Sequence, residues 1–544
     1  MELESEWRIS RVVMPNGLSM RMRSAAARQV FAGAIAVCLM ATFVVVCPPA
    51  KAAPGASEIK DALADHTHPL EGGGLTLNRD VLTSAYQARD FEPLWVAPEM
   101  SDALVASIAG ADSDGIDPES FDLSALKSAL ASSALTPVGR ELLLSDRFLA
   151  YAQALAQGRV SPSAVEDDWL LPQPGFDAAT VLGAVAQSKD VRATLTGLLP
   201  KSPEYDRLRQ VLAHYKLLAA AGGWPRIETE QKIEPGQKGE LIKTLRLRLA
   251  AEGDLDPAQA RGDTYDPTVV AAMKHFQLRH GLDPDGRVGA GTLAALNVSA
   301  PDRVKEIELT LERWRELPRE FPATRIVVNA ASAELTLYRD EEPALTSRVV
   351  VGDVEHPTPV LQAKIVSALF NPPWNVPASI TKKELAPKIK HDPGYLERNH
   401  YVYVGSRIQQ TPGPWNALGG VKFELPNPLD VYLHDTPAKP LFNKPVRAAS
   451  HGCVRVQQAR SLASTLLGEN WPAEAVDQAI ADGETKRVFL KTAVPVYLLY
   501  LTAFTDDDGT AEFREDVYGR NDHLAQALED REIRRRMGNA PGAG

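Results

Sequence analysis

The stretch Ser450-His451-Gly452-Cys453-Val454-Arg455-Val456, with His434-Asp435-Thr436 upstream, holds the residue types that acyl-transfer chemistry needs. A cysteine becomes a useful nucleophile only as its thiolate, so it requires a nearby base or a positive field. His434 precedes Cys453 by 19 residues, too far for one helical turn but suited to adjacent strand ends. Gly452 lets the backbone approach a substrate carbonyl closely, and the amides of Gly452 and Cys453 could then face a developing oxyanion. Arg455 offers a fixed fork for a carboxylate. Two plainer readings stand beside this one. A cysteine with two histidines nearby could bind a structural metal, although zinc usually takes four ligands and often paired cysteines. It could equally be an inert buried thiol among satisfied histidines.

Cysteine usage favours the nucleophile. The chain has three, Cys38, Cys47 and Cys453, and the first two lie in an apolar N-terminal segment. Val30 to Cys47 is an uncharged run of 18 residues, preceded by Arg21, Arg23 and Arg28 and followed by the small-x-small triplet Ala50-Lys51-Ala52. That pattern predicts a signal peptide or an inner-membrane anchor, and the sequence leaves the two alternatives open. The mixed charge before Met20 makes a poor leader, so translation starting at Met20 is a third variant. In each case the positive flank stays cytoplasmic and the rest is exported to the periplasm. The exported body then carries Cys453 alone, and an unpaired exported thiol marks a reactive one.

At 544 residues the length suits two to four domains. A hydrophobic content of 44% and a charged content of 24% are ordinary for globular protein. The net charge of −11, with no basic run, argues against nucleic acid as a partner. No cofactor is required: nothing calls for a metal, nucleotide or haem.

The elements that must position these residues follow from periodicity. Residues 1–54 form the leader. Residues 55–222 are a helical scaffold, with stripes Leu144, Phe148, Tyr151, Leu155 and Leu208, Val211, Tyr215, Leu218. Residues 233–297 make a small helical unit whose second helix runs from Pro267 to His280, with Asp266 as N-cap and Gly281 as stop. Residues 304–320 contain a bridging helix on which Ile307, Leu311 and Trp314 share a face. From Arg325 to 504 the period changes to that of strands: Ile326–Asn329, Glu334–Tyr338, Arg348–Gly352, Lys364–Phe370, Asp430–His434 and Val488–Leu490. No helix of crossover length separates the early strands, which predicts a mixed or antiparallel sheet. Thr381–Lys390, Gln457–Leu467 and Ala473–Asp482 are the covering helices. Residues 505–544 supply a hairpin around Asp506-Asp507-Asp508-Gly509, a charged helix from Asp522 to Arg536 and a tail. The predicted fold class is multi-domain α+β, with a helical scaffold, a small all-α domain and a β-rich mixed-sheet catalytic domain.

His434, the gap and Ser450-His451-Gly452-Cys453-Val454-Arg455 together resemble the signature of the YkuD-type L,D-transpeptidase catalytic domain. Asn371-Pro372-Pro373-Trp374-Asn375-Val376-Pro377 and Pro412-Gly413-Pro414-Trp415-Asn416 resemble its large multi-domain periplasmic branch. Phe91-Glu92-Pro93-Leu94-Trp95 is similar to that branch's scaffold domain. Phe276-Gln277-Leu278-Arg279-His280-Gly281-Leu282 with Asp285-Gly286 resembles a peptidoglycan-binding helical domain, although the same leucines would simply close a small core.

The resemblance implies a peptidoglycan substrate, with stem peptides and glycan as partners. Cys453 attacks the carbonyl before a terminal D-Ala, His434 moves the protons, a thioester forms, and a second stem's amine completes a 3-3 cross-link. The resemblance also implies acylation of Cys453 by a carbapenem. Two other readings compete: a hydrolase that resolves the same thioester with water, and a non-catalytic wall-binding protein. Secondary roles stay divided. His451 orients a catalytic partner or serves the turn, and Arg455 binds a substrate carboxylate or stabilises the loop. Ser450 is a turn residue at the substrate side. Trp374 and Trp415 line an acceptor groove or pack a core. Asp435 is opposed as the orienter of His434 by strand alternation, which leaves a backbone carbonyl. The interval 395–414, a flap in this branch, is short here, and an ordinary loop is the alternative.

Overall fold

The protein is described by a computed structural model over residues 53–538. The apolar run Val30–Cys47, with Cys38 and Cys47, lies outside the described residues. Among those described, no helix is long and apolar enough to cross a membrane.

The N-terminal region is helical apart from a small hairpin pairing Glu71–Gly72 with Leu75–Thr76. Its longest helix, Pro137–Gln157, starts where the Thr136 side chain accepts from the Gly139 amide and ends at Gly158, φ 80°. The sequence stripe implied one buried face, yet this helix is buried nearly all round, Glu141, Asp146 and Arg147 included. Glu141 is satisfied there by the Leu94 and Trp95 amides and the Tyr86 hydroxyl.

Helices Glu240–Ala251, Pro267–Arg279 and Ala290–Leu296 enclose a separate core around Leu245, Leu249, Val269, Met273 and Phe276. Asp266 caps the second helix by accepting from Thr268 and Val269, as its position predicts. This unit is docked rather than loosely tethered. The Tyr215 hydroxyl donates to Glu252 at 2.8 Å, Arg514 donates to the Arg279 carbonyl at 2.9 Å, and the His280 ring stacks between Phe276 and Phe513.

The predicted bridging helix spans Ala300–Glu316 and is buried along most of its length. Glu312 there takes Arg159 at 3.1 Å and Arg315 at 2.6 Å, so a charged turn sits inside the junction between scaffold and catalytic domain. One continuous apolar core runs through both.

The catalytic sheet is built from β1 (Arg325–Asn329), β2 (Glu334–Arg339), β3 (Glu342–Gly352) and β4 (Leu361–Phe370). A lid follows, holding β5 (Trp374–Asn375), β6 (Tyr401–Val404) and β7 (Arg407–Gln410). The sheet resumes with β8 (Val421–Glu424), β9 (Leu433–His434), β10 (Ala448–Ser450), β11 (Val454–Val456) and β12 (Lys486–Leu499). Strand order is β10-β3-β11-β9-β8-β4-β12-β1-β2, and β3 also pairs with β2, so the sheet returns on itself. It is mixed: β9 with β11, β10 with β3 and β12 with β1 are parallel. The strand expected over Asp430–His434 shortens to Leu433–His434. The Asn427 side chain accepts from the Leu429 and Val431 amides and donates to the Val431 carbonyl, holding that stretch in a turn.

The lid sheet runs β5-β7-β6 and packs on a core of Val376, Leu385 and Ile408. Residues 395–414 thus form ordered strands of a small subdomain. The helix predicted over Thr381–Lys390 opens with a π turn, Thr381–Leu385, before Ala386–His391. Pro387 has no amide hydrogen to give, so normal α bonding is interrupted at this point.

Candidate active site

Strand pairing brings the predicted residues together. In the parallel ladder Leu433 faces Val454 and His434 faces Arg455, and the Val454 amide donates to the Tyr432 carbonyl at 3.0 Å. Carrying the register back one step sets Tyr432 beside Cys453. Because alternate residues of a strand share a face, Tyr432, His434, Cys453 and Arg455 form a four-membered patch. Across the antiparallel pair Lys422 faces His434, and its Nζ lies 3.8 Å above the Tyr432 ring. The Tyr432 and His434 rings are 5.5 Å apart.

Gly452 has φ +99°, a conformation that non-glycine residues rarely adopt. An added Cβ would meet nothing closer than 3.7 Å, so the demand for glycine here is conformational and not one of space. The loop is pinned from inside. Thr358 donates to the Gly452 carbonyl at 2.9 Å, and Ser450 Oγ donates to the Cys453 carbonyl at 2.5 Å. The trans peptide then turns the Cys453 amide away from Thr358.

His434 is buried, and its Nδ1–H donates to the Asp435 backbone carbonyl at 2.5 Å. Nε2 is left as the unprotonated nitrogen. Burial, with the Arg455 charge adding to it, holds the imidazole neutral with a pKa lowered to about 3. The Asp435 carboxylate points elsewhere, accepting from the Gly420 amide at 3.0 Å and pairing with Lys439. Cys453 is half-buried, and its thiol lies 4.0 Å from the Asp430 carbonyl. Burial raises its pKa, while the adjacent Tyr432 backbone and side chain, then the Lys422 and Arg455 charges, oppose the rise. Burial thus favours the neutral form of both side chains.

Above Cys453 lies a cleft of about 1210 Å³ between lid and sheet. Trp374 and Ile380 line its lid wall, while Lys422, Tyr432, His451 and Cys453 line its sheet wall. The other predicted residues fall at different depths. Arg455 is half-buried beside His434 and away from the cleft lining, and its Nε has no hydrogen-bond partner. Ser450 is buried as the loop clamp just described. Trp415 stands off the cleft, 41% exposed and stacked on His400 at 3.6 Å. His451 meets Glu384 of the lid at 2.7 Å. Sequence reasoning missed Lys422 and Tyr432. Strand alternation two residues before His434 could have found Tyr432, whereas Lys422 arrives only through pairing. Among the described residues no group of three or more His, Cys, Asp or Glu side chains is placed to hold a metal.

Comparison with known proteins comes to the same region. Residues 323–496 match the family model described as the L,D-transpeptidase catalytic domain, residues 80–212 the "Scaffold domain", and residues 238–296 the "Putative peptidoglycan binding domain". A curated protein of Haemophilus influenzae, named "Putative L,D-transpeptidase", is 34% identical over 237 residues. The match covers 40% of this chain and 48% of that protein, so the chain spans about half the length of this relative. Among solved structures, an L,D-transpeptidase of Stackebrandtia nassauensis is 15% identical, covering 51% of this chain and 96% of that one, with a TM-score of 0.21. L,D-transpeptidase 3 of Mycobacterium tuberculosis, in complex with a faropenem-derived adduct, is 16% identical over 33% of this chain and 60% of that one, TM-score 0.19. At those TM-scores neither structural likeness carries weight.

Proposed function

Because the chain carries a YkuD-type L,D-transpeptidase catalytic domain together with scaffold and peptidoglycan-binding domains, we propose that it cross-links peptidoglycan stem peptides through a Cys453 thioester. The observation that carries this reading is that Cys453 immediately precedes β11 while His434 ends the neighbouring parallel strand β9, with Cys453 in the wall of the lidded cleft and the His434 Nδ1–H already engaged. His434 Nε2 takes the thiol proton as Sγ attacks the carbonyl preceding a terminal D-Ala. The Cys453 and Gly452 amides stabilise the oxyanion. The C–N bond then breaks, His434 returns the proton to the D-Ala amine, and the thioester remains. A stem-peptide amine attacks next, giving its proton to His434, and the thiol leaves with a 3-3 cross-link made. Lys422, a cation in the cleft wall, suits a substrate carboxylate better than the recessed Arg455 does. The reaction belongs in the periplasm, to which the leader would deliver the chain, with residues 30–47 as a cleaved signal or an inner-membrane anchor.

The test is incubation of residues 53–544 with purified disaccharide-tetrapeptide, followed by mass spectrometry, beside Cys453→Ala and His434→Ala. A dimer lighter by one D-Ala, absent in both variants, is expected. Tripeptide alone would replace the transferase by a hydrolase. Absence of both turnover and a carbapenem adduct on Cys453 would remove the enzyme altogether.

A further inference from the structure

Glu384 belongs to the π turn Thr381–Leu385 of the lid. Such one-turn insertions recur at functional sites. The neighbouring Leu385 is buried in the lid core, while Glu384 faces the sheet and places Oε1 2.7 Å from His451 Nε2. His451 stands two residues before Cys453, on the loop that Thr358 and Ser450 pin from inside. Its ring also meets that of His356 at 4.9 Å, and His356 Nδ1 lies 3.0 Å from Asp353 Oδ1. The Glu384–His451 contact is thus a direct polar bridge across the cleft, with Thr381 and Lys382 on its lid side and His451 and Cys453 on its sheet side.

We propose that Glu384 is a positioning residue: through His451 it ties the lid to the nucleophile loop, so that lid closure and the reach of Cys453 are set together. The bridge holds the nucleophile loop from the cleft side, where neither Thr358 nor Ser450 acts, and a bulky acyl donor must release it to enter. The inference deepens the reading of Cys453 as nucleophile and rests on it, but its test needs no turnover.

In the full-length chain, alkylation of Cys453 is followed by peptide mapping, which separates it from Cys38 and Cys47. A small reagent, iodoacetamide, is compared with a polyethylene-glycol maleimide in wild type, Glu384→Gln, His451→Gln and the double variant. Glu384 and His451 are each 39% exposed, so the bridge has the strength of a surface pair. Glu384→Gln should therefore speed the bulky reagent about two- to fivefold and leave the small one nearly unchanged. In the His451→Gln background Glu384→Gln should add nothing. Equal changes for both reagents, no change, or an undiminished effect without His451 would each overturn the proposal. Failure of the tetrapeptide reaction alongside the expected alkylation pattern would instead remove the transpeptidase reading and leave the latch standing.

Discussion

Replacing Tyr432 by Phe removes one hydroxyl from beside the nucleophile and keeps the ring that Lys422 and His434 contact. The Tyr432 side chain lowers the Cys453 pKa against burial, and burial holds the phenol far above its ordinary range, so the hydroxyl keeps its proton and can donate to a thiolate at every working pH. A hydrogen bond to a charged group contributes about 1.5 kcal/mol at the low end of its range. Since 1.36 kcal/mol corresponds to one pKa unit, the thiolate fraction at a fixed pH should fall about tenfold. A more basic thiolate is intrinsically more nucleophilic, with a Brønsted coefficient near 0.45, which returns about threefold. The net expectation is alkylation of Cys453 by iodoacetamide about three- to fourfold slower at pH 7, with the profile moved up by about one pH unit. Rates measured from pH 6 to 10 on residues 53–544, where Cys453 is the one thiol, read both quantities. A profile that does not move in Tyr432→Phe would show that this hydroxyl does not stabilise the thiolate, and the electrostatic account of the resting site would fail.

Other perturbations have equally definite outcomes. Asp435→Asn keeps the backbone carbonyl that holds His434 Nδ1–H, so turnover should stay within about threefold, against a loss of about 10⁴-fold where a carboxylate orients the imidazole. Steady-state cross-linking rates distinguish the two. The His434 pKa falls from 6.5 to about 3 on folding, so the unfolded chain binds the extra proton between those values and stability drops as pH falls through that window. The full loss is about 5 kcal/mol, and urea titrations at pH 7, 5 and 4 should show a shallower slope in His434→Gln. Glu312→Leu leaves Arg159 and Arg315 buried without their carboxylate, which should cost about 3–5 kcal/mol in urea denaturation. If Glu312→Leu changes stability by less than about 1 kcal/mol, the buried junction does not hold scaffold and catalytic domain together as described.

The sequence by itself determined the kinds of element and picked out the residues on which the proposed chemistry rests. The spacing of Cys453 from a histidine 19 residues upstream, the β-branched runs after Arg325 and the Asp266 cap are read from short stretches of sequence, where local physics decides. Alternation along a strand argued against the Asp435 side chain, and the His434 Nδ1–H is found on the Asp435 carbonyl. Tertiary structure decided what depends on register and on contacts between distant segments. Lys422 becomes part of the site only because β8 pairs with β9, and Arg455 recedes from the cleft because it lies opposite His434. Nothing in the sequence joins Glu312 of helix Ala300–Glu316 to Arg159, 153 residues away, and only the fold pairs them inside the core. Residues 395–414 become part of a lid, and His451 acquires its partner, because Leu385 folds into a small core of its own and leaves Glu384 across the cleft. Pattern within a segment is written in a few consecutive side chains, whereas partnership between segments is set by how the closed sheet brings its strands together.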